Sequence, residues 1–352
     1  MLDGDETVRL GGIVPGLRRD LVDRSGWRWQ LFCLLNGSRT VDDVVSTMAE
    51  VFPGVPAHLV RAVVGDLESA GYLEDADAAV DAVDERYRGS AELYGWMDLS
   101  PHRTGADAQK RLQKASVAVI GLGGAGCTAV LDLVLAGVGR VHCVDRDVVE
   151  RSNLGRQILY TEADVEKFKA HVAVRKLREH NSAIDVTGEV FEVTGQNDLR
   201  GFAEKFDVLL LTADKPSQIR SWANRACLAT GTPWVYGGYH GPLTGAGLFR
   251  PGEGACFECV QAEQRAQVGV STRMEWPPAA GQEPPHAVDA TTAGLTGNFA
   301  ARAVISLLTG IPRAPSNLQF GYNVVKWRET IPVTLAAPSP RCPACGPSVR
   351  GR

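Results

Sequence analysis

Ser116-Val117-Ala118-Val119-Ile120 runs straight into Gly121-Leu122-Gly123-Gly124-Ala125-Gly126 and then into an apolar helical stretch. Few folds accept a short buried strand, G-x-G-x-x-G and a helix in that order. The glycines let the chain turn sharply and bring the amides of the helix N-terminus up to a phosphate. A second strand, Arg140–Val144, ends at Asp145, 19 residues past Gly126, where a carboxylate reaches a ribose hydroxyl. The pattern predicts a Rossmann-like α/β domain with Gly121, Gly123, Gly124, Gly126 and Asp145 on a nucleotide. Alone it says no more than that, and NAD would be the default ligand.

Composition narrows the rest. A chain of 352 residues is about two domains long. With 44% hydrophobic and 22% charged residues it is neither disordered nor fibrous. Its 37 basic against 41 acidic side chains, a formal charge of −4, leave no footprint for nucleic acid. No apolar run approaches the roughly 18 residues of a membrane span. The acidic start Met1-Leu2-Asp3-Gly4-Asp5-Glu6 has neither the basic nor the apolar region of a signal peptide, so the expected location is cytoplasmic. In that compartment the eight cysteines are metal ligands, core residues or reactive thiols before they are disulfides.

The chain divides at an acidic, Ala-rich linker, Glu74–Glu85, which reads as a solvated helix or a tether. The expected organisation is a small α+β domain over 1–75, a linker over 76–90 and the nucleotide domain over 91–352. In the first, Val8–Leu10 and Gly11–Val14 read as a hairpin with a glycine turn. Trp27–Leu35 reads as a buried helix, and Thr40-Val41-Asp42-Asp43 opens a second one through Phe52 with an N-cap hydroxyl. A third helix covers Ala57–Ala70. Hairpin plus three helices without a basic face resembles the PqqD-type peptide-recognition domains of ribosomal-peptide modifying enzymes, over about residues 7–75. The resemblance implies that a leader peptide adds a strand to the sheet edge. The alternative is a winged-helix accessory module that only packs on the main domain.

Asp145-Arg146-Asp147-Val148-Val149-Glu150-Arg151-Ser152-Asn153-Leu154-Gly155-Arg156-Gln157 changes the nucleotide guess. It resembles the D-x-D-x-(V/I)-x-x-S-N-L-x-R-Q signature of the ubiquitin-activating-enzyme superfamily, which includes the ThiF and MoeB adenylyltransferases. Lys169, 12 residues on, matches that family's phosphate-binding lysine. Phe206–Asp214 is a strand ending in its T/S-x-D, whose aspartate holds magnesium. The match spans about residues 86–347 and implies ATP as cofactor, bound by the glycines with Asp145, Asp147, Asn153, Arg156, Gln157, Lys169 and Asp214. It also implies a homodimer with two active sites. The chemistry requires such a set, because attack of a carboxylate on an α-phosphate brings two anions together and cations must neutralise the approach. Arg156 and Lys169 would do so, with Asp214 positioning Mg²⁺. The family's opening R-Y-x-R departs here to Arg86-Tyr87-Arg88, which leaves Arg88 or Arg103 to substitute.

Cys256-Phe257-Glu258-Cys259 and Cys342-Pro343-Ala344-Cys345 are two C-x-x-C knuckles with 82 residues between Cys259 and Cys342. Four thiolates at this spacing make a closed tetrahedral Zn²⁺ site that staples the C-terminus and does not catalyse. Two redox C-x-x-C motifs are the alternative, but neither follows a thioredoxin-like strand. Cys33, Cys127, Cys143 and Cys227 fall in apolar segments and are expected in the core. The segment between the knuckles contains no cysteine, so a ubiquitin-type relay through an enzyme thiol has no evident thiol there. It corresponds to the family's substrate crossover loop, around Trp276–Asp289, where His286 stands as a candidate substrate contact.

A peptide-binding module fused before an adenylating domain is similar to the enzymes that mature microcin-C-type peptides. Local echoes in Ser221–Cys227, Gly237-Gly238-Tyr239 and Gly254–Cys259 agree with this. The expected function is ATP- and Mg²⁺-dependent adenylation of a precursor-peptide carboxylate, at the C-terminus or on Asp or Glu, followed by nucleophilic capture. The rivals are adenylation of a Gly-Gly sulfur carrier, and a non-catalytic leader recruiter for a cyclodehydratase.

Overall fold

The computed structural model describes residues 2–3, 6–76, 83–101, 103–267, 287–329, 333–335 and 337–346. Linker residues 77–82, His286 and most of the expected crossover loop lie outside them. The chain forms two compact units, Met1–Lys110 and Arg111–Arg352.

In the first unit, β1 (Leu2–Asp3), β2 (Thr7–Leu10) and β3 (Arg19–Val22) make an antiparallel sheet in that order. The expected return strand at 11–14 is instead part of a longer turn. Leu17 N–H donates to Val14 O at 3.2 Å, and Gly11, at φ +67°, passes so close to Leu17 O that a Cβ would sit 2.1 Å away. The glycine belongs to a wide loop and the strand resumes at Arg19. Helices α1 (Trp27–Leu34), α2 (Val41–Val51) and α3 (Ala57–Ser69) follow. Thr40 caps α2: its hydroxyl accepts from Asp43 N–H at 3.2 Å, while the Asp43 carboxylate accepts from Thr40 N–H at 3.1 Å. Trp27, Leu31, Val44, Met48, Val60 and Val64 form the core. Cys33 is exposed, not in that core. Leu31 and Leu34 face inward, and two residues on from Leu31 is the far side of a helix with 3.6 residues per turn. Two more helices, α4 (Arg88–Met97) and α5 (Gly105–Lys114), lead towards the second unit.

The second unit is built on a nine-stranded sheet in the order β11-β10-β9-β8-β7-β4-β5-β6, with β12 (Val333–Thr334) paired on β10. Strands β4 (Ser116–Ile120), β5 (Arg140–Val144), β6 (Asp185–Glu189), β7 (Val208–Leu211) and the start of β8 (Trp234–His240) run parallel. β9 (Leu243–Phe249), β10 (Leu318–Asn323) and β11 (Arg328–Glu329) continue antiparallel. Val117–Ile120 and all of β7 are buried, as strands covered on both faces must be. From β4 the chain goes one way to β5 and β6, then returns to build β7 and β8 on the other side. The carboxyl ends of β4 and β7 therefore bound the crevice where such sheets bind ligands.

Among the described residues, six helices surround this sheet: α6 (Gly124–Leu135), α7 (Lys169–His180), α8 (Gln196–Ala203), α9 (Ile219–Thr230), α10 (Phe257–Gln267) and α11 (Ala290–Thr309). α6 and α11 lie so close that a Cβ on Gly297 would meet Thr128 Cβ at 2.5 Å. Asp289 starts α11 by accepting from Thr292 N–H at 2.7 Å. No described helix is long and apolar enough to cross a membrane.

Within α6, burial pushes the Asp132 carboxyl from 3.8 up to about 6. The folded state thus holds this proton more tightly than the unfolded one, and stability from this group is lost as pH rises from about 4 through 6. Asp132→Asn is expected to raise stability at pH 8 by about 1 kcal/mol, after allowance for solvent screening. It should change little at pH 4, and thermal melts at the two pH values check the difference.

Candidate active site

The site begins where β4 ends. Gly121 adopts φ +98° and passes so close to the loop after β7 that a Cβ would sit 2.6 Å from Ala213 N. Gly126, in the first turn of α6, abuts Gly121 O, which a Cβ would meet at 2.1 Å. Gly123, by contrast, has nothing within 4 Å of where a Cβ would be. Two glycines are thus required by packing, while the third keeps open space before a helix N-terminus, the combination that suits a phosphate. Around Gly124 a Cβ would meet Ala293 Cβ at 2.8 Å and Arg156 O at 3.2 Å, so this glycine brings the arginine segment onto the loop.

The loop is held from below. Leu122 N–H donates to Asp145 Oδ2 at 2.7 Å, and Leu122 O accepts from Tyr160 Oη at 3.1 Å and Cys127 Sγ at 3.2 Å. Burial pushes the Cys127 and Cys143 thiols up to about 12, which makes both neutral packing groups. Asp145 Oδ1 also accepts from Asp147 N–H at 2.8 Å. Each Asp145 oxygen retains a further lone pair for a ribose hydroxyl. Burial raises this carboxyl, opposed by its backbone hydrogen bonds and by Lys169.

Lys169 is the first residue of α7 and is buried, with Nζ 3.1 Å from Asp147 Oδ2. A cation at a helix N-terminus opposes the helix dipole, so the position is favourable only with anions nearby. Asp147, half exposed, is one such anion, and a phosphate would be another. Asn153 is buried, and its Oδ1 accepts from Glu150 N–H at 3.2 Å. That bond shapes the turn that delivers Arg156 and Gln157. Arg156 Nη1 donates to Ser152 O at 2.9 Å, whereas its buried Nε has no acceptor among the described residues. Gln157 Oε1 is buried without a partner in the same way.

Across the crevice, Thr212 Oγ1 donates to Gly121 O at 2.6 Å and ties the β7 end to the glycine loop. Asp214 follows, exposed, before the cis Lys215–Pro216 bond. Burial raises the Tyr239 phenol at the end of β8; Arg156, which hydrogen-bonds it, opposes the shift and Asp214 adds to it. Tyr239 therefore stands with Arg156 and Asp214. Gly237-Gly238-Tyr239 as a sequence gives the tyrosine no role by itself. The usable signal was an aromatic residue behind paired glycines at a strand end. Arg88 is exposed, and Arg103 Nε lies 3.3 Å from Asp98 Oδ2.

The residues fit ATP on observations of this chain: an open helix N-terminus at Gly123, a buried lysine at a second one, and an orphaned guanidinium N–H. They also fit Mg²⁺, which is commonly held by one or two carboxylates together with substrate phosphates. Asp214 would supply the carboxylate.

The four knuckle cysteines converge as a separate centre. All four sulfurs are buried and lie within 4.8 Å of one another. Cys256–Cys342, Cys259–Cys345 and Cys256–Cys259 are 3.6, 3.5 and 3.9 Å apart. Disulfide sulfurs would be about 2.05 Å apart. A tetrahedron with Zn–S bonds of about 2.3 Å has edges of about 3.8 Å, which these separations match. Ser339 N–H donates to Cys259 Sγ at 3.3 Å, a further partner for a thiolate. The cluster can hold one zinc ion with no open position.

Comparison with known proteins gives the following. The ThiF family model matches residues 98–344. The ThiS sulfur-carrier adenylyltransferase of Bacillus subtilis is 40% identical over 158 residues, 44% of this chain and 46% of that one, so the chain spans about half of that relative's length. Its Escherichia coli counterpart is 33% identical over 251 residues, 69% of this chain and 90% of that one. Crystal structures of E. coli MccB share the fold. The MccB–ATP structure superposes with a TM-score of 0.76 at 21% identity, covering 97% of this chain and 98% of that one, as does MccB with AMPCPP and MccA.

Proposed function

The chain belongs to the ThiF family of adenylyltransferases, and from that premise we propose that it adenylates a carboxylate of a ribosomally made precursor peptide, using ATP and Mg²⁺. The carboxylate, at the peptide C-terminus or on an Asp or Glu side chain, attacks the α-phosphate. The new bond is acyl oxygen to α-phosphorus, the α–β phosphoanhydride breaks, and pyrophosphate leaves. Arg156 and Lys169 neutralise the phosphates as the anions approach. Asp214 would hold Mg²⁺, which when bound would supply charge screening for pyrophosphate, and the glycine loop with Asp145 seats the nucleotide. An internal amide, amine or thiol then attacks the carbonyl carbon of the mixed anhydride, the acyl carbon–oxygen bond breaks, and AMP leaves. We read residues 1–75 as the leader-binding domain, 91–352 as the adenylating domain, and the active species as a homodimer.

One observation carries the peptide reading over its main rival. The likeness to MccB, a protein solved with MccA, extends over 97% of the chain and so includes the N-terminal sheet and helices. The match to the E. coli sulfur-carrier enzyme covers only 69%. The sulfur-carrier reading keeps the support of higher identity, 33% against 21%.

The test is ATP–pyrophosphate exchange with precursor peptides encoded beside this gene and with a Gly-Gly sulfur carrier. Exchange is expected with a peptide, and an isolated leader added in trans should compete it away. Exchange with the carrier alone would move the protein to sulfur transfer.

A further inference from the structure

α9 joins the core of the second unit through Ile219, Ala223, Ala226 and Cys227, all at most 2% exposed. Asn224 is as deeply buried, at 1%, although it is polar. A side-chain amide is stable in such a place only where both its ends are satisfied. One end is: Oδ1 accepts from Phe257 N–H, inside the first C-x-x-C knuckle, at 3.1 Å. That donor also fixes which way the amide points, since the reverse orientation would set N–H against N–H. Nδ2 then faces the other way, where it has no acceptor at hydrogen-bonding geometry among the described residues.

The group it has beside it is Cys256. The cavity that Asn224 shares with Cys256, Trp234 and Phe249 measures about 10 Å³, the lower limit for a single water. Burial, the largest cause, raises the Cys256 thiol, and the Asn224 side chain is among the donors that oppose the rise. An amide favours a thiolate only through its N–H, because its oxygen would repel the charge. A protonated Cys256 is a weak acceptor and leaves the amide unsatisfied, whereas a metal-bound thiolate satisfies it. The charge fits as well. Four thiolates outweigh one Zn²⁺, so the loaded centre is anionic. Arg225, the next residue of α9, stands beside it. Its Nε donates to Glu258 Oε1 at 3.0 Å, and Cys342 and Cys256 add to the rise that Glu258 causes in its pKa.

We propose that Asn224 is a positioning residue of the four-cysteine centre, donating its amide N–H to the Cys256 thiolate and so favouring the metal-bound form. Through Oδ1 the same side chain holds the backbone of the knuckle. One residue of α9 thus fixes both a ligand and the turn that carries it. The inference rests on the zinc reading of the cluster and is independent of the acyl substrate.

The test uses the full-length protein loaded with zinc or with Co²⁺. Asn224→Asp keeps an oxygen for Phe257 N–H but loses the donor and places a carboxylate beside the sulfur. Asn224→Leu loses both bonds without adding charge. Competition against a chelator should show zinc affinity lower by about 10–100-fold in each. The sulfur-to-cobalt charge-transfer band should move to lower energy, because a sulfur without its donor gives up charge more readily. An asparagine that only supports the fold would leave that band in place, and a folded Asn224→Leu protein with wild-type affinity and an unmoved band overturns the proposal. Should neither variant fold, the wild type decides. With an NMR-active cadmium isotope in the site, coupling between the metal and an Nδ2 hydrogen of Asn224 is expected across the N–H···S bond, and its absence overturns the proposal. Wild-type protein that takes up neither zinc nor cobalt overturns the zinc reading with it.

Discussion

Arg156→Ala is expected to lower pyrophosphate exchange by about 10²–10³-fold, the loss seen when one preorganised donor to a charge-developing centre is removed. The guanidinium is anchored through Ser152 O on one side and Tyr239 on the other, while its buried Nε faces no acceptor among the described residues. Burying a guanidinium N–H without a partner is costly, so the arrangement is stable in the catalytic complex only if a ligand supplies the oxygen. Removing the side chain should therefore leave thermal stability unchanged or slightly improved while activity collapses. Asp214→Asn should give a loss of the same order that added Mg²⁺ does not repair. A merely structural arginine would show the opposite pattern, with stability lost and exchange in proportion to folded protein.

The second large effect concerns the sulfur cluster. Cys342→Ser, or prolonged chelation, is expected to destabilise the second unit by at least ~5 kcal/mol, because metal binding in such closed sites is folding free energy. The cluster joins the start of α10 to residues 342–346, so its loss frees the C-terminal end from the aromatic core around Trp234, Phe249 and Phe257. Burial, the largest cause, pushes the Cys256 thiol up to about 11 against the hydrogen bonds that lower it, which leaves it neutral at pH 7 without a cation. Zinc must therefore displace protons, and its affinity should rise with pH. One zinc per chain by atomic absorption, with a melt that falls on its removal, is the expected result. Zinc-free protein with an unchanged melt would contradict it.

Much of this was legible in the sequence because the constraints are local. A strand, a glycine turn and a helix within Ser116–Leu135 leave little freedom, and two C-x-x-C pairs announce a shared ion without any knowledge of topology. Thr40 and Asp43 specified the start of α2 through a bond three residues long. Misreadings arose where distance or direction mattered. The four residues after β2 read as its partner strand, whereas Gly11 opens a turn that returns at Arg19. Cys33 looked like core from its apolar neighbours, but helical phase turns it outward. Tyr239 carried no motif; its place beside Arg156 and Asp214 comes from the fold, which brings together positions 83 residues apart in the chain.

The most direct test of the central claim follows the α-phosphate. The full-length protein is incubated with ATP labelled at that phosphorus and with precursor peptide, quenched in acid, and analysed for label on peptide, in AMP and in ADP. Attack at the α-phosphate predicts label on the peptide as an acyl-adenylate, released as AMP on capture, with pyrophosphate as the other product. Label recovered as ADP, with inorganic phosphate in place of pyrophosphate, would contradict the account.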